Sequence, residues 1–211
     1  MMATTHVFAG VSVAALVALL APEFALVAAV AAICGGFAPD LDVLAGHRKT
    51  LHFPLYYTGL ALLFGGVALA APTTATVAVA MFTLAAALHC VMDAVGGGPE
   101  FKPWEGTSER AVYDHYHGRW IRPRRWIRYD GAPEDLLLAS VLVVPGLLAF
   151  DGAVQSVLVA LLAVSVVYTA VRKPLVLGGE RLLEAFPQWV RDVLPDHLLP
   201  LEDEELEQRS E

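Results

Sequence analysis

Five stretches of this chain carry no Asp, Glu, Lys or Arg: residues 7–22, 24–39, 53–92, 136–150 and 152–171. Uncharged runs of that length, rich in Leu, Val and Ala, read as membrane helices, because the hydrocarbon core takes roughly 20 apolar residues per crossing. The sequence therefore predicts an all-α, polytopic membrane bundle. The longest run is too long for one crossing and is broken at Ala71, Pro72, Thr73 and Thr74, so it reads as a helical hairpin. The last apolar region is split at Asp151 and Gly152, and the first at Pro22 and Glu23. That first split leaves two segments of about fifteen residues each, either short tilted crossings or a re-entrant pair. About six spans result.

Basic residues orient this topology. With six segments, Arg48 and Lys49 fall in the second connection, and Lys102, Arg110, Arg119, Arg122, Arg124, Arg125 and Arg128 in the fourth. Arg172, Lys173, Arg181, Arg191 and Arg209 follow the sixth. All 14 basic residues thus share one face, which the positive-inside rule makes cytoplasmic, together with both termini. The formal net charge of −8, with few Lys, argues against a nucleic-acid partner and suits a protein of concentrated salt, a halophilic expectation. Cys34 and Cys90 both fall in apolar runs and read as packing residues.

Against this uncharged background the loop 39–52 stands out, because it places Asp40, Asp42, His47 and His52 within thirteen residues. Carboxylates and imidazoles are ligands of divalent metals. His89 and Asp93 follow at i, i+4 and share a helix face. His6 precedes the first span. The topology brings all seven to the cytoplasmic end of the bundle. Asp40 and Asp42 follow Pro39, a residue expected to end the helix, so an extended segment would point both carboxylates the same way. Gly35 and Gly36 would admit a neighbouring backbone near the site. Each residue also has a plainer role: an Asp after Pro as a turn former, His47 beside headgroups, His6 as a cap. An ionisable residue at the end of an uncharged membrane helix, such as His89, is a functional candidate by default.

His6, then G-G-x-x-P-D-L-D from Gly35, then G-H-R-x-x-x-H from Gly46, then L-H-x-x-x-D from Leu88 with glycines and Trp104 beyond, resembles the YdjM-like (LexA-binding, inner-membrane-associated) family of membrane-bound metal-dependent hydrolases. The chain departs from that pattern at Val43, Lys49, Leu51 and Phe53. The resemblance implies a metal-dependent hydrolase site at His6, Asp40, Asp42, His47, His52, His89 and Asp93.

Seven candidate ligands exceed the three protein ligands of one catalytic zinc. Either two metals share a bridging carboxylate, or one is bound and the remaining residues support it. Mixed His and carboxylate ligation suits Zn first, with Mn or Fe as alternatives. A metal-activated water would attack an ester or phosphoester at the cytoplasmic leaflet, with Asp42 or Asp93 as ligand or general base. The expected partners are the lipid bilayer and a lipid-like substrate. The stretch 113–129 alternates Arg with Trp and Tyr, the composition of a headgroup anchor. From this region Arg119 and Arg122, along with Arg124 and Arg125, are candidate phosphate contacts, as is Arg48 in the earlier loop. Asp114, His115 and His117 are weaker metal candidates. Residues 1–173 form the expected membrane domain. An interfacial amphipathic helix is expected over 174–200 and an acidic tail over 201–211. No Walker motif, dinucleotide fingerprint or nucleophile elbow is present, which leaves ATPase, dehydrogenase and serine-hydrolase readings without support.

Overall fold

The computed structural model describes residues 1–187 and is mostly helical. Helix α1 spans Ala3–Leu20, and a 3₁₀ turn at Pro22–Phe24 leads into α2, Ala25–Phe37. A second 3₁₀ segment, Pro39–Leu44, follows α2. Helices α3 (Pro54–Ala70) and α4 (Thr74–Val95) form the expected hairpin. Thr73 caps α4 in a reciprocal box with Thr76, which satisfies backbone donors at the helix start. A two-stranded antiparallel hairpin follows, β1 (Val112–Asp114) with β2 (Arg119–Ile121). Then come α5 (Pro133–Leu142), α6 (Val144–Ala149) and α7 (Gly152–Ala185).

Among the described residues, four segments are long and apolar enough to cross a membrane: Ala3–Leu20, Pro22–Val43, Thr74–Val95 and Gly152–Leu182. Helix α3 is a shorter apolar helix. The first pair is thus of membrane length, where short or re-entrant segments were expected. Two physical reasons account for the difference. Thr4, Thr5 and His6 are polar but uncharged and extend α1 at its start. The α-helical part of α2 ends before Pro39, as expected, but Pro39 takes the first position of a 3₁₀ segment, where its missing N–H has no partner to lose, so the helical run continues to Leu44. The apolar run 136–150 divides into α5 and α6, with Pro145 in the first turn of α6. The stretch expected to be amphipathic begins within α7; from residue 188 it lies outside the described residues, as does the acidic tail.

The centre of the bundle is α1, α2 and α4, packed through small residues including Ala28, Ala29, Ala32 and Ala85. Close backbone approach is enforced at two glycines. A Cβ on Gly35 would stand 2.2 Å from the Phe82 carbonyl oxygen of α4, and one on Gly36 would stand 2.8 Å from the Val7 Cα of α1. These two contacts draw the start of α1 and the middle of α4 onto the end of α2.

Candidate metal centre

Three elements meet at that end of the bundle. Asp40 comes from the 3₁₀ segment after α2, His52 from the loop before α3, and His89 and Asp93 from the last turns of α4. One ligand atom from each lies within 4.8 Å of all the others. His89 Nε2 is 3.3 Å from Asp40 Oδ1 and 3.4 Å from Asp93 Oδ2. His52 Nε2 is 3.3 Å from Asp93 Oδ2 and 3.8 Å from Asp40 Oδ1. The two Nε2 atoms stand 3.2 Å apart. Four ligands at 2.0–2.2 Å from a tetrahedral ion are separated by about 3.3–3.6 Å, so these spacings are those of a cation cage.

The tautomers point the same way. His89 Nδ1 is 2.7 Å from the Gly36 carbonyl oxygen, which can only accept, so Nδ1 carries the proton. His52 Nδ1 is 3.0 Å from Asp42 Oδ2, an oxygen that also accepts from the Leu51 N–H at 3.0 Å. An ionised carboxylate likewise only accepts, so this Nδ1 is the protonated one too. In their neutral forms both rings turn unprotonated Nε2 atoms towards each other and towards two carboxylate oxygens. Such a convergence of lone pairs in a buried space calls for a positive charge, a metal ion or, without one, a proton. Burial opposes charge on His52, but its hydrogen bonds to Asp42 and Asp93 outweigh it and hold its pKa above the ordinary histidine value.

Asp42 was expected as a ligand or base, and it stands outside the four. Both its oxygens already accept, Oδ2 as described and Oδ1 from His47 Nδ1 at 3.1 Å. It orients His52, as carboxylates behind metal-bound imidazoles do. The extended segment expected here is not found: Asp40 and Asp42 lie in a 3₁₀ turn, where residues two apart diverge. His47 is turned to Asp42 and lies outside the cluster; burial and the Arg48 charge hold its pKa below the ordinary value.

His6 is fully buried and stacks on His89 with ring centroids 3.8 Å apart. Its Nε2 lies 3.1 Å from Asp93 Oδ1, the oxygen not turned to His52 and His89, without hydrogen-bond geometry. Neither ring nitrogen of His6 has a hydrogen-bond partner. The same Asp93 oxygen receives the Met1 nitrogen at 3.0 Å and stands 3.6 Å from Arg48 Nη2.

Arg48 is only 4% exposed and adopts a left-handed backbone, φ 60°. Its Nη1 donates to the carbonyls of Gly97 and Ala111, so the loop of Arg48 is bound to the chain beyond α4. Arg119 and Arg122 are exposed, and Arg122 pairs with Glu109. Arg124, Arg125 and Trp126 donate backbone N–H groups to the carbonyls of Ala94, Gly96 and Val95, terminating α4. Asp114 accepts from the backbone N–H groups of Tyr116 and His117 and from the His117 ring, which closes the β-hairpin turn. Desolvation pushes the Asp114 carboxyl up, but these bonds outweigh it and lower its pKa. His115 donates to the Lys49 carbonyl. These three residues organise the loops and take no part in the cluster.

One contributor had no signal in the sequence. Asp135 is fully buried and accepts from Met2 N and Thr5 Oγ1, each at 2.7 Å, and from Gly131 N at 3.1 Å. It caps the start of α1 from α5 and so fixes the turn that carries His6. In the sequence it looks like an ordinary acid in the first turn of a helix.

A cavity of about 420 Å³ adjoins the cluster. Asp40, His47 and Arg48 line it beside the cluster, and Val164, Tyr168 and Arg172 of α7 line it as well. Asp40 is the most exposed of the four cluster residues, at 22% of its side chain. Comparisons with family models, curated proteins and solved structures find no match to this chain.

Proposed function

We propose that this chain is a membrane-embedded, metal-dependent hydrolase acting at the cytoplasmic face of a bundle of about six spans. The observation that carries the metal is the pair of Nε2 atoms, on His52 and His89, facing each other 3.2 Å apart between Asp40 and Asp93. Two nitrogens and two carboxylate oxygens suit Zn, with Mn or Fe as alternatives. The chemistry such an ion supplies is acidification of water towards neutral pH and polarisation of an ester or phosphoester. The protein's own part is to hold the Nδ1 protons of His52 and His89 on Asp42 and Gly36, and to present the site to the cavity at Asp40. Asp42 is a positioning residue in this reading, and Asp93, lying at the junction of the cluster with His6 and Arg48, is a ligand.

The hydrolase class is supported by the resemblance of the His6–Asp93 motifs to the YdjM-like family, and the orientation by the one-sided distribution of basic residues. A second reading, a structural metal that ties α2, α3 and α4 together, is favoured by one observation: four protein ligands already complete a tetrahedral set, as in structural zinc sites. Turnover separates the two. Purified protein loaded with Zn or Mn should hydrolyse members of a panel of phosphoesters and carboxylic esters, and Asp40→Asn should reduce the rate. A fully loaded protein that turns over nothing in either metal supports the structural reading.

A further inference from the structure

We propose that the cavity beside the metal centre takes a phosphate ester bearing an apolar chain, a lipid phosphate, with Arg48 holding the phosphate. This rests on the metal-centre reading and narrows it from esters in general to one anionic class.

Three observations carry the inference. First, Arg48 lines the cavity that Asp40 also lines, and the residue is only 4% exposed. Nη1 serves two carbonyls and Nη2 stands 3.6 Å from Asp93, but Nε is buried with no hydrogen-bond partner. A buried cation with an unmet donor calls for an anionic acceptor. Second, the local charge is open to an anion. A divalent ion between two carboxylates is neutral, and Arg172 is paired with Asp130, which leaves two cations on the wall, the Met1 amine that donates to Asp93 and Arg48, whose Nε is an unmet donor. Glu100 also lines the wall; burial raises its pKa, against the opposing pull of Arg125 and Arg48, so its negative charge is the costlier form. A phosphate has enough oxygens to meet both an ion and a guanidinium, whereas a neutral carboxylic ester offers the guanidinium nothing ionic.

Third, the cavity mouth is apolar and faces where lipid would be. Val43 and Val164 both line it and are 57% and 55% exposed. Val164 belongs to the membrane-length segment Gly152–Leu182, so an acyl chain could remain in the bilayer while its phosphate reaches Arg48. In the reaction, the oxygen of water bonds to phosphorus as the bond from phosphorus to the alcohol oxygen breaks. One proton of the water ends on the released alcohol and the other stays with the phosphate product.

The test uses full-length protein loaded with Co²⁺, whose visible spectrum reports ligands reaching the ion. It is titrated with inorganic phosphate, dioctanoyl phosphatidic acid and dioctanoylglycerol. Both phosphates should shift the spectrum, the lipid phosphate at about tenfold lower concentration, and dioctanoylglycerol should not. Arg48→Met should weaken both phosphates about tenfold or more with cobalt content unchanged, and Arg48→Lys should recover part of the loss. Val164→Trp should remove the advantage of the acyl chains and leave inorganic phosphate binding as it was. Should the Arg48 variants fail to fold, Val164→Trp and the three-ligand comparison decide alone. Loss of the advantage in neither cavity variant, or equal responses to dioctanoylglycerol and phosphatidic acid, overturns the proposal. Cobalt that binds without responding to any phosphate sinks this inference alone; a chain that binds no cobalt sinks the metal centre and this inference together.

Discussion

His52 and His89 face each other through Nε2 atoms 3.2 Å apart, because each ring has its Nδ1 proton committed to a different acceptor, Asp42 and the Gly36 carbonyl. The consequence is a site whose affinity depends on residues that never touch the ion. Asp42→Asn removes the charge that orients His52 while keeping its shape. The expected result is metal bound at full stoichiometry but about 10–100-fold more weakly, measured by competition with a chelator. Affinity equal to wild type would show that Asp42 does not act through His52.

The same geometry fixes a pH dependence. The folded, metal-free protein holds His52 above its ordinary pKa, so this residue contributes stability that is complete below about pH 6.5 and is lost as pH rises through the folded value. Metal binding runs the other way, since it needs the unprotonated ring. The difference in Tm between metal-loaded and metal-free protein should therefore widen from about pH 6 to about pH 8. A difference that is constant or narrows over that range contradicts the assignment.

Gly35 and Gly36 set the separation of the three central helices. Gly35→Ala drives a methyl group to within 2.2 Å of a backbone oxygen that a helix cannot easily move. It should destabilise the protein by about 1–3 kcal/mol in chemical denaturation. Gly36→Ala should do the same and also weaken metal binding, because the Gly36 carbonyl orients His89. Stability unchanged in both would show that the helices are not in this contact.

Asp135→Ala leaves Met2 N–H, the Thr5 hydroxyl and Gly131 N–H without their buried acceptor. A loss of about 1–3 kcal/mol in stability is expected, read as a lowered denaturation midpoint. Asp135→Asn, which keeps an acceptor oxygen, should lose less. Equal losses would assign the effect to charge and not to capping.

Much of this arrangement was legible because charge is excluded from membrane helices. The uncharged runs located the helices, and the breaks at Pro22, Pro72 and Asp151 located their ends. Asp40, His52, His89 and Asp93 were all visible as polar residues at helix ends, and the structure gathers them. What the residues alone did not reveal was which carboxylate does what. Asp40 and Asp42 are equivalent by type and position, and only the 3₁₀ turn through Pro39 sends one to the cluster and the other behind His52. Arg48 looked like an ordinary inside-facing charge, since its burial depends on the carbonyls of Gly97 and Ala111, far along the chain. The Arg-rich stretch suggested phosphate contacts by composition, while its backbone at 124–126 serves to end α4. Side-chain type does not report a main-chain role.

The most direct measurement is metal content with X-ray absorption spectroscopy on purified full-length protein, wild type against a His52→Ala/His89→Ala double variant. The wild type should hold at least one divalent ion per chain, with two imidazoles and carboxylate oxygens at about 2.0–2.2 Å, and the double variant should hold none. A wild-type chain that takes up no stoichiometric ion, or a folded double variant that keeps one with the same spectrum, would contradict the metal centre.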